Sequence, residues 1–167
     1  MSRINKDKYY LDIAEVVLTR STCMNKHWGA VLVKNDTILS TGFNGAPRCI
    51  KDCYEKGFCG LYDYRRKNNL GRGEGYEQCI SIHAEMNAIL FAKDRNEIKG
   101  ATLYLVGKEL TDLDGRWGYV PNPSPCHICK KLLVNSGVDK IVCRVNEFQI
   151  LELIPKEWSY NMLIGGY

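Results

Sequence analysis

The sequence lacks any long hydrophobic run, which limits where the protein is expected to act. No stretch approaches the ~18 apolar residues that a membrane span needs. The first ten residues alternate charged and polar side chains without the apolar centre of a secretion signal. These absences predict a cytoplasmic protein with no membrane partner. Repeats, low-complexity tracts and linkers are also missing, so the 167 residues are expected to form one domain, 1–167.

The sequence also has no strong excess of charge of either sign. It contains 23 lysines and arginines against 19 aspartates and glutamates, a formal net charge of +4, and the positive residues are scattered. Because nucleic-acid binding needs a concentrated basic surface, no nucleic-acid partner is expected. The slight positive balance is compatible with a phosphorylated small molecule as ligand.

Cysteine, by contrast, is abundant, with eight residues. In a cytosol the thiols stay reduced, so disulfides are not expected and clustered cysteine and histidine point to metal. Cys143 stands apart in an apolar run, which predicts a small core residue. The other seven lie near another cysteine or a histidine, at positions 23, 49, 53, 59, 79, 126 and 129.

Hydrophobic periodicity predicts alternating helices and strands. The expected elements are a helix within residues 1–20, a hairpin over 29–42, irregular structure over 42–75, a helix over 83–93, a strand over 101–106, a helix over 125–135, a strand over 138–145 and a last helix after 147. Pro125 and Gly137 suit the start and the end of the penultimate helix. This order is typical of α/β layers.

Two short motifs carry the expected chemistry. One is His-Ala-Glu, which begins at His83, and the other is Pro-Cys-x-x-Cys, whose cysteines are Cys126 and Cys129. The two cysteines share one helix face near the helix N-terminus, where the backbone amides favour thiolate. One imidazole and two thiolates would hold zinc and leave its fourth position for water. The glutamate, Glu85, is placed to act as the base.

Each motif alone is a weak signal. A lone Cys-x-x-Cys is equally a redox pair or half of a structural zinc finger, and a lone His-x-Glu occurs by chance in many helices. Here each motif opens a helix, in this order, with a strand between them. Together they match the signature of the zinc-dependent nucleobase deaminases.

Several further stretches carry a resemblance to one family. They read Arg-Ser-Thr-Cys at 20–23, Gly-Ala-Val-Leu-Val at 29–33, Gly-Phe-Asn-Gly-Ala-Pro at 42–47 and Ile-His-Ala-Glu-Met-Asn-Ala-Ile at 82–89. Over roughly residues 8–145 the chain resembles the deoxycytidylate (dCMP) deaminase family of the zinc-dependent cytidine deaminase superfamily. The resemblance implies a three-layer cytidine-deaminase-like fold, with a central mixed β-sheet flanked by helices.

The same resemblance implies a reaction, partners and site residues. Members hydrolyse dCMP to dUMP and ammonia with zinc, and the dUMP supplies thymidylate synthesis. They are homo-oligomers, often hexamers, and in many the effectors are dCTP and dTTP. Glu85 would take a proton from water and pass protons to N3 and to the departing amine. Asn44 would contact the nucleoside, although an ordinary turn residue beside Gly45 is the alternative interpretation.

A cysteine-rich insertion spans about residues 45–80. A long loop in a compact domain needs a clamp, and four thiolates on a structural zinc would supply one. The resemblance implies a possible second zinc, with Cys49 as a substitute ligand if one of the four fails. Free, partly buried thiols are the alternative. The four implied ligands are Cys23, Cys53, Cys59 and Cys79.

An inserted loop, 108–124, is longer than the family pattern. It leads into the helix with two zinc ligands, so it is expected to overhang the pocket. Arg116 and Tyr119 could there hold phosphate or stack on a base, unless the loop is solvated and folded onto itself. His27, before the first strand, is a candidate substrate contact or else a surface histidine.

Other polar residues receive plainer interpretations. Lys26 and Arg48 join Arg116 as phosphate candidates that the sequence does not rank. His127 lies between the ligand cysteines and is expected to be a bystander. The basic, aromatic run over 62–67 predicts a solvated helix face.

Three other functions stay open at this point. One is a deaminase of cytidine, deoxycytidine, cytosine or a purine. Another is a non-catalytic nucleotide sensor stapled by zinc, and the third is a redox role for the two motif cysteines. Glu85 separates the first from the others, because a structural or redox site has no use for a carboxylate beside an open metal position.

Overall fold

The computed structural model describes residues 3–71, 74–111 and 115–164. The helices in these ranges are α1 Lys6–Leu18, α2 Cys53–Lys56, α3 Gly60–Asn68, α4 Ala84–Leu90, α5 Arg95–Ile98, α6 His127–Ser136 and α7 Tyr160–Ile164. The strands are β1 Lys26–Lys34, β2 Thr37–Phe43, β3 Thr102–Leu110, β4 Trp117–Tyr119, β5 Lys140–Arg144 and β6 Ile150–Leu153. Single 3-10 turns occur at Tyr76–Gln78 and Pro155–Glu157. None of the described helices is long and apolar enough to span a membrane.

The strands form one mixed sheet. Its order is β2-β1-β3-β5-β6, and the short β4 pairs with the end of β3. Only β3 and β5 run parallel among these pairs, because α6 lies on the crossover between them. The other pairs are antiparallel, including the β1–β2 hairpin that the sequence predicted.

Helices cover both faces of the sheet. On one face α1 packs Leu11 and Ala14 against the sheet residue Val31. On the opposite face Ala88 of α4 and Leu133 of α6 belong to a second apolar cluster with sheet residues. The predicted three-layer arrangement, with a central mixed sheet flanked by helices, is therefore confirmed.

Two glycines let helices approach the hairpin closely. A Cβ on Gly42 of β2 would lie 2.2 Å from the Ala84 carbonyl oxygen and 2.4 Å from the Ala88 backbone nitrogen. A Cβ on Gly29 of β1 would lie 2.1 Å from the carbonyl oxygen of Ala14 in α1. Because neither gap admits a side chain, glycine at these positions fixes how closely α1 and α4 pack on the sheet.

A polar cluster ties α1 to the sheet. Arg144 of β5, whose side chain is 7% exposed, forms ion pairs with Asp12 and Glu15 of α1. Glu15 also accepts hydrogen bonds from Lys108 and from the Tyr119 hydroxyl, the latter at 2.9 Å. We call these five residues the Arg144 cluster. A buried guanidinium with two carboxylate partners holds α1 in one register on the sheet.

The expectation of irregular structure over 42–75 is wrong in part. α2 begins with a capping box between Asp52 and Glu55 and ends at Gly57, whose φ is 73°. α3 follows and ends at Asn69, also in the left-handed region with φ of 52°. Helices of one or two turns have too few residues to show a periodic apolar face, so the pattern hides them.

The inserted loop and the C-terminal tail also differ from expectation. β3 continues to Leu110 and β4 folds back on it, with Lys108 opposite Tyr119, so part of the loop is a β-hairpin. Residues 112–114 lie outside the described residues. In the tail, β6 forms an edge strand before the predicted last helix, α7.

Candidate active site

Three predicted ligands meet where two helices begin. His83 is the N-cap residue of α4, and Cys126 is the N-cap residue of α6. The His83 Nδ1 atom lies 3.3 Å from the Cys126 Sγ atom and 3.4 Å from the Cys129 Sγ atom. Their ligand atoms all lie within 4.8 Å of one another. The structure thus brings together residues that are more than 40 positions apart in the chain.

The spacing of this cluster fits a tetrahedral zinc ion. With bonds of ~2.0 Å to nitrogen and ~2.3 Å to sulfur, a histidine and a cysteine ligand would lie about 3.5 Å apart. The observed separations of 3.3 and 3.4 Å are close to that value. The soft nitrogen and sulfur donors also suit zinc rather than magnesium or calcium.

The electrostatics of the cluster favour a cation. The hydrogen bond from Cys129, and after it His83, holds the pKa of Cys126 well below its usual range. The same hydrogen bond, together with burial, raises the pKa of Cys129. One thiol therefore ionises readily while the other keeps its proton, and a bound cation would let both become thiolates.

Glu85 lies beside the three ligands without being one of them. It is the second residue of α4 and is 5% exposed. Burial raises its pKa above the ordinary value for a glutamate, against the opposing influence of His83. A carboxyl group with a raised pKa can accept and return a proton near neutral pH, which is what a general acid–base residue needs.

A pocket of about 560 Å³ opens beside this cluster. Its walls come from the start of β1, the cysteine-rich insertion, the start of α4 and the segment that enters α6. The residues that line it are Cys23, Asn25, Lys26, Trp28, Asn44, Cys59, Leu61, Arg65, Tyr76, Cys79, Ser81, His83, Ala84, Glu85, Val120, Pro121, Asn122, Ser124, Pro125, Cys126, His127 and Lys130. The end of the inserted loop therefore borders the pocket, as the sequence predicted.

Asn44 lines the pocket and is 6% exposed. Its Oδ1 atom accepts hydrogen bonds from the Ser21 hydroxyl and the Trp28 backbone amide, both at 2.7 Å. Its Nδ2 atom donates to the Lys26 carbonyl at 2.9 Å. Because an amide nitrogen has two hydrogens, one remains for a ligand. Asn44 is thus more than a turn residue, since its side chain links Ser21, which precedes β1, to Lys26 and Trp28 within β1.

The structure does not bring His27, Arg116 or Tyr119 into this pocket. His27 stacks on Trp117 with ring centroids 3.9 Å apart, and its Nε2 atom lies 3.2 Å from the Tyr54 hydroxyl. Its neighbours Lys26 and Trp28 do line the pocket, so strand alternation directs His27 to the other face of the sheet. Tyr119 belongs to the Arg144 cluster, and Arg116 is exposed.

Several lining residues had no clear signal in the sequence. Arg65 and Tyr76 come from the insertion, and Lys130 comes from α6. His127, expected to be a bystander, also lines the pocket. Arg48 lies outside the lining, and its guanidinium packs over the Phe91 ring at 4.6 Å. Arg65 and Tyr76 lie outside the two motifs, and the positions of His127 and Lys130 in or beside the second motif do not show which way their side chains point, so only the fold identifies them.

Four cysteines of the predicted second metal site lie near one another. Burial, and after it the charges of Cys59, Cys23 and Cys79, together raise the pKa of Cys53 to about 11. Cys49 is exposed, with φ of 65°, and does not contribute to this effect. Among the described residues only the His83 cluster has all its ligand atoms within 4.8 Å, so these thiols would have to converge to bind a metal.

The fold and the site define a class of protein. A mixed sheet between helical layers, with a His–Cys–Cys cluster at two helix N-termini and an adjacent buried glutamate, is the architecture of the cytidine-deaminase-like proteins. The sequence matches the family described as "Cytidine and deoxycytidylate deaminase zinc-binding region" over residues 4–145. The chain belongs to this family.

Individual proteins similar to this chain include several deoxycytidylate deaminases. The chain is 32% identical to the deoxycytidylate deaminase of Mycobacterium phage D29, over 85% of this chain and 96% of that protein. It is 28% identical to the deoxycytidylate deaminase of Saccharomyces cerevisiae, over 85% of this chain but only 38% of that protein. The crystal structure of dCMP deaminase from cyanophage S-TIM5 in complex with dCMP and dUMP shares the fold. It has a TM-score of 0.52 and 24% identity, over 85% of this chain and 84% of that one.

Proposed function

We propose that this protein catalyses the zinc-dependent hydrolytic deamination of dCMP to dUMP and ammonia, supplying dUMP for thymidylate synthesis. The observation that carries the proposal is the His83, Cys126 and Cys129 cluster beside buried Glu85 at the pocket wall. The choice of dCMP is supported by the relative of Mycobacterium phage D29, which is named a deoxycytidylate deaminase.

The residues of the chain divide the chemistry between them. A zinc ion held by His83, Cys126 and Cys129 would act as a Lewis acid toward water. Glu85 accepts a proton as the water oxygen adds to C4 of cytosine. It passes this proton to N3, then takes the proton of the new C4 hydroxyl group and delivers it to the amino group, which leaves as ammonia and yields the C4 carbonyl of uracil. Asn44 offers its remaining amide hydrogen to the nucleoside.

A second zinc ion is part of the proposal. The structural site would be held by four cysteines, Cys23, Cys53, Cys59 and Cys79. A bound cation would relieve the electrostatic repulsion between their thiolates. Three of these residues also line the pocket. The metal would therefore fix one pocket wall, since α2 and α3 are too short to be stable alone.

The wider biological context rests on the family resemblance. We propose a cytoplasmic homo-oligomer, with a hexamer as the state to test, that dCTP and dTTP regulate as effectors. Size-exclusion chromatography with light scattering measures the first property. The response of the rate to each triphosphate measures the second.

A deamination assay tests the proposed function. Zinc-loaded protein is given dCMP, CMP, deoxycytidine, cytidine or cytosine, and the fall in ultraviolet absorbance is followed, with and without dCTP. Turnover largely confined to dCMP supports the proposal. Turnover of another compound alone would keep the reaction and change the substrate. Inactivity on all five would favour a non-cytosine substrate or a nucleotide sensor.

Glu85→Gln tests the chemical step. The substitution keeps the shape of the side chain and removes its ability to exchange protons. We expect kcat to fall by about 10²–10⁴-fold while zinc content and melting temperature stay near the wild-type values. Loss of zinc or of the fold in this variant would instead favour a purely structural site.

A further inference from the structure

One cationic side chain that lines the pocket is held in a fixed orientation by other residues of the insertion. Arg65 lies on α3, and its Nε atom donates a hydrogen bond of 2.7 Å to the Glu74 carbonyl oxygen. Its guanidinium carbon lies 4.6 Å from the centroid of the Tyr76 ring. A hydrogen bond and a stacked ring together fix the plane of the guanidinium group, so the group is preorganised.

The other end of the same group has no acceptor. Among the described residues, the Arg65 Nη2 atom is buried and forms no hydrogen bond, and Arg65 forms no ion pair with a carboxylate. A desolvated charged donor without an acceptor is costly, so an anionic ligand would relieve that cost.

The other two cationic residues that line the pocket are already engaged. Lys26 forms an ion pair of 2.7 Å with Glu109, on the neighbouring strand β3. The Lys130 ammonium group lies 5.4 Å from the centroid of the Trp158 ring. Arg65 is therefore the cation in this lining that is oriented by neighbours and still offers an unpaired donor.

We infer that Arg65 binds the phosphate group of the nucleotide substrate and sets the preference for a nucleoside monophosphate over the free nucleoside. This inference rests on the proposed deaminase function, which places the base beside Glu85. A planar guanidinium group matches phosphate oxygens better than a lysine does. A nucleoside without phosphate leaves Nη2 unpaired, so the site itself penalises the wrong ligand.

Arg65→Gln tests the assignment, with Arg66→Gln as the matched control. The control removes the same charge from the same helix, but Arg66 is exposed and forms only a 3.5 Å surface contact with Asp63. We expect Arg65→Gln to raise KM for dCMP by about 10–100-fold with a smaller change in kcat, and Arg66→Gln to leave both unchanged.

Calorimetric binding of product provides a readout independent of turnover. Arg65→Gln should weaken dUMP binding by about 10–100-fold and leave deoxyuridine binding unchanged. Arg65→Lys, which keeps the charge and most of the packing, should recover part of the dUMP affinity. It also covers the case in which the glutamine variant fails to fold.

Two results would overturn the inference. One is wild-type KM and dUMP affinity in a folded Arg65→Gln protein. The other is loss of zinc with equal weakening of dUMP and deoxyuridine binding, because Arg65 lies close enough to Cys79 to lower its pKa and would then act on that cysteine site. Failure of the proposed function is a separate result, since it would show as a wild-type protein that binds dUMP but does not deaminate dCMP.

Discussion

The close contact between β2 and α4 yields a prediction that joins the fold to the chemistry. In Gly42→Ala the new Cβ would lie 2.2 Å from one backbone atom of α4 and 2.4 Å from another. Real Cβ contacts under 3.0 Å are essentially absent. The helix must therefore retreat by about 1 Å, since backbone atoms cannot rotate away as a flexible side chain can.

The size of the effect follows from that displacement. Overpacking of this kind costs about 1–3 kcal/mol, against a gain of about 0.4–1 kcal/mol from the stiffer unfolded chain. The mid-range net cost is about 1.3 kcal/mol, so a domain of this size melts roughly 3–5 °C lower, and up to about 10 °C lower at the upper limit of the cost. Because α4 carries Glu85 and begins at His83, a shift of ~1 Å should also reduce kcat by about 10²-fold.

The assay compares Gly42→Ala with Gly60→Ala. At Gly60 the nearest atom to an added Cβ is 3.7 Å away, which is ordinary contact. This control keeps only the gain from the stiffer unfolded chain, so it should melt no lower than the wild type and turn over like it. Calorimetric melting and steady-state kinetics with dCMP measure both variants. Wild-type stability and kcat in Gly42→Ala would refute the argument that α4 is held against β2 by the missing side chain.

Three further predictions follow from the polar clusters. Burial alone would raise the pKa of Glu15, but its three hydrogen-bond donors outweigh burial and lower it. Its contribution to stability is therefore full above the unfolded pKa of about 4.3 and lost as pH falls through the lower folded value. In Glu15→Gln, the melting temperature measured by circular dichroism should fall less steeply as the pH is lowered than it does in the wild type. An unchanged dependence on pH would contradict this. Cys126→Ser should lose both deamination and one zinc ion per chain by atomic absorption, whereas full zinc retention would exclude it as a ligand. Cys53→Ser should lose a different zinc ion and raise KM more than it lowers kcat, and an unchanged metal content would leave the four cysteines as free thiols.

The elements that carry the candidate catalytic residues could be predicted because their signals are local. Gly137 ends α6 with φ of 78°, and Cys126 caps its start, as a proline before it and a glycine after it suggest. The combination of the two motifs predicts that His83 and the two cysteines lie together at one metal site, although they are more than 40 residues apart in the chain. The roles of the candidate zinc ligands and of Glu85 remain predictions.

The rest of the pocket depends on contacts that no local pattern records. The sequence predicts that Arg65 belongs to a solvated helix face, because its sequence neighbours are basic and aromatic. Its guanidinium group is instead held by the Glu74 carbonyl oxygen and the Tyr76 ring, which lie beyond the end of α3 in the chain. The orientation of His27 also depends on the structure. Because Trp28 lines the pocket and strand neighbours alternate between faces, His27 is directed away from the pocket.

The cysteine-rich insertion contributes to the pocket wall. Its residues Cys59, Arg65, Tyr76 and Cys79 line the same pocket as Glu85, so the insertion forms one wall of that pocket. A wall made of one- and two-turn helices would fluctuate, and an unsteady wall cannot hold a guanidinium group where a phosphate must dock. In the proposed enzyme, a metal on the four cysteines would act on substrate affinity through Arg65. The metal at His83 would act on the chemical step through Glu85, which is why the KM and kcat effects of the two sites should separate.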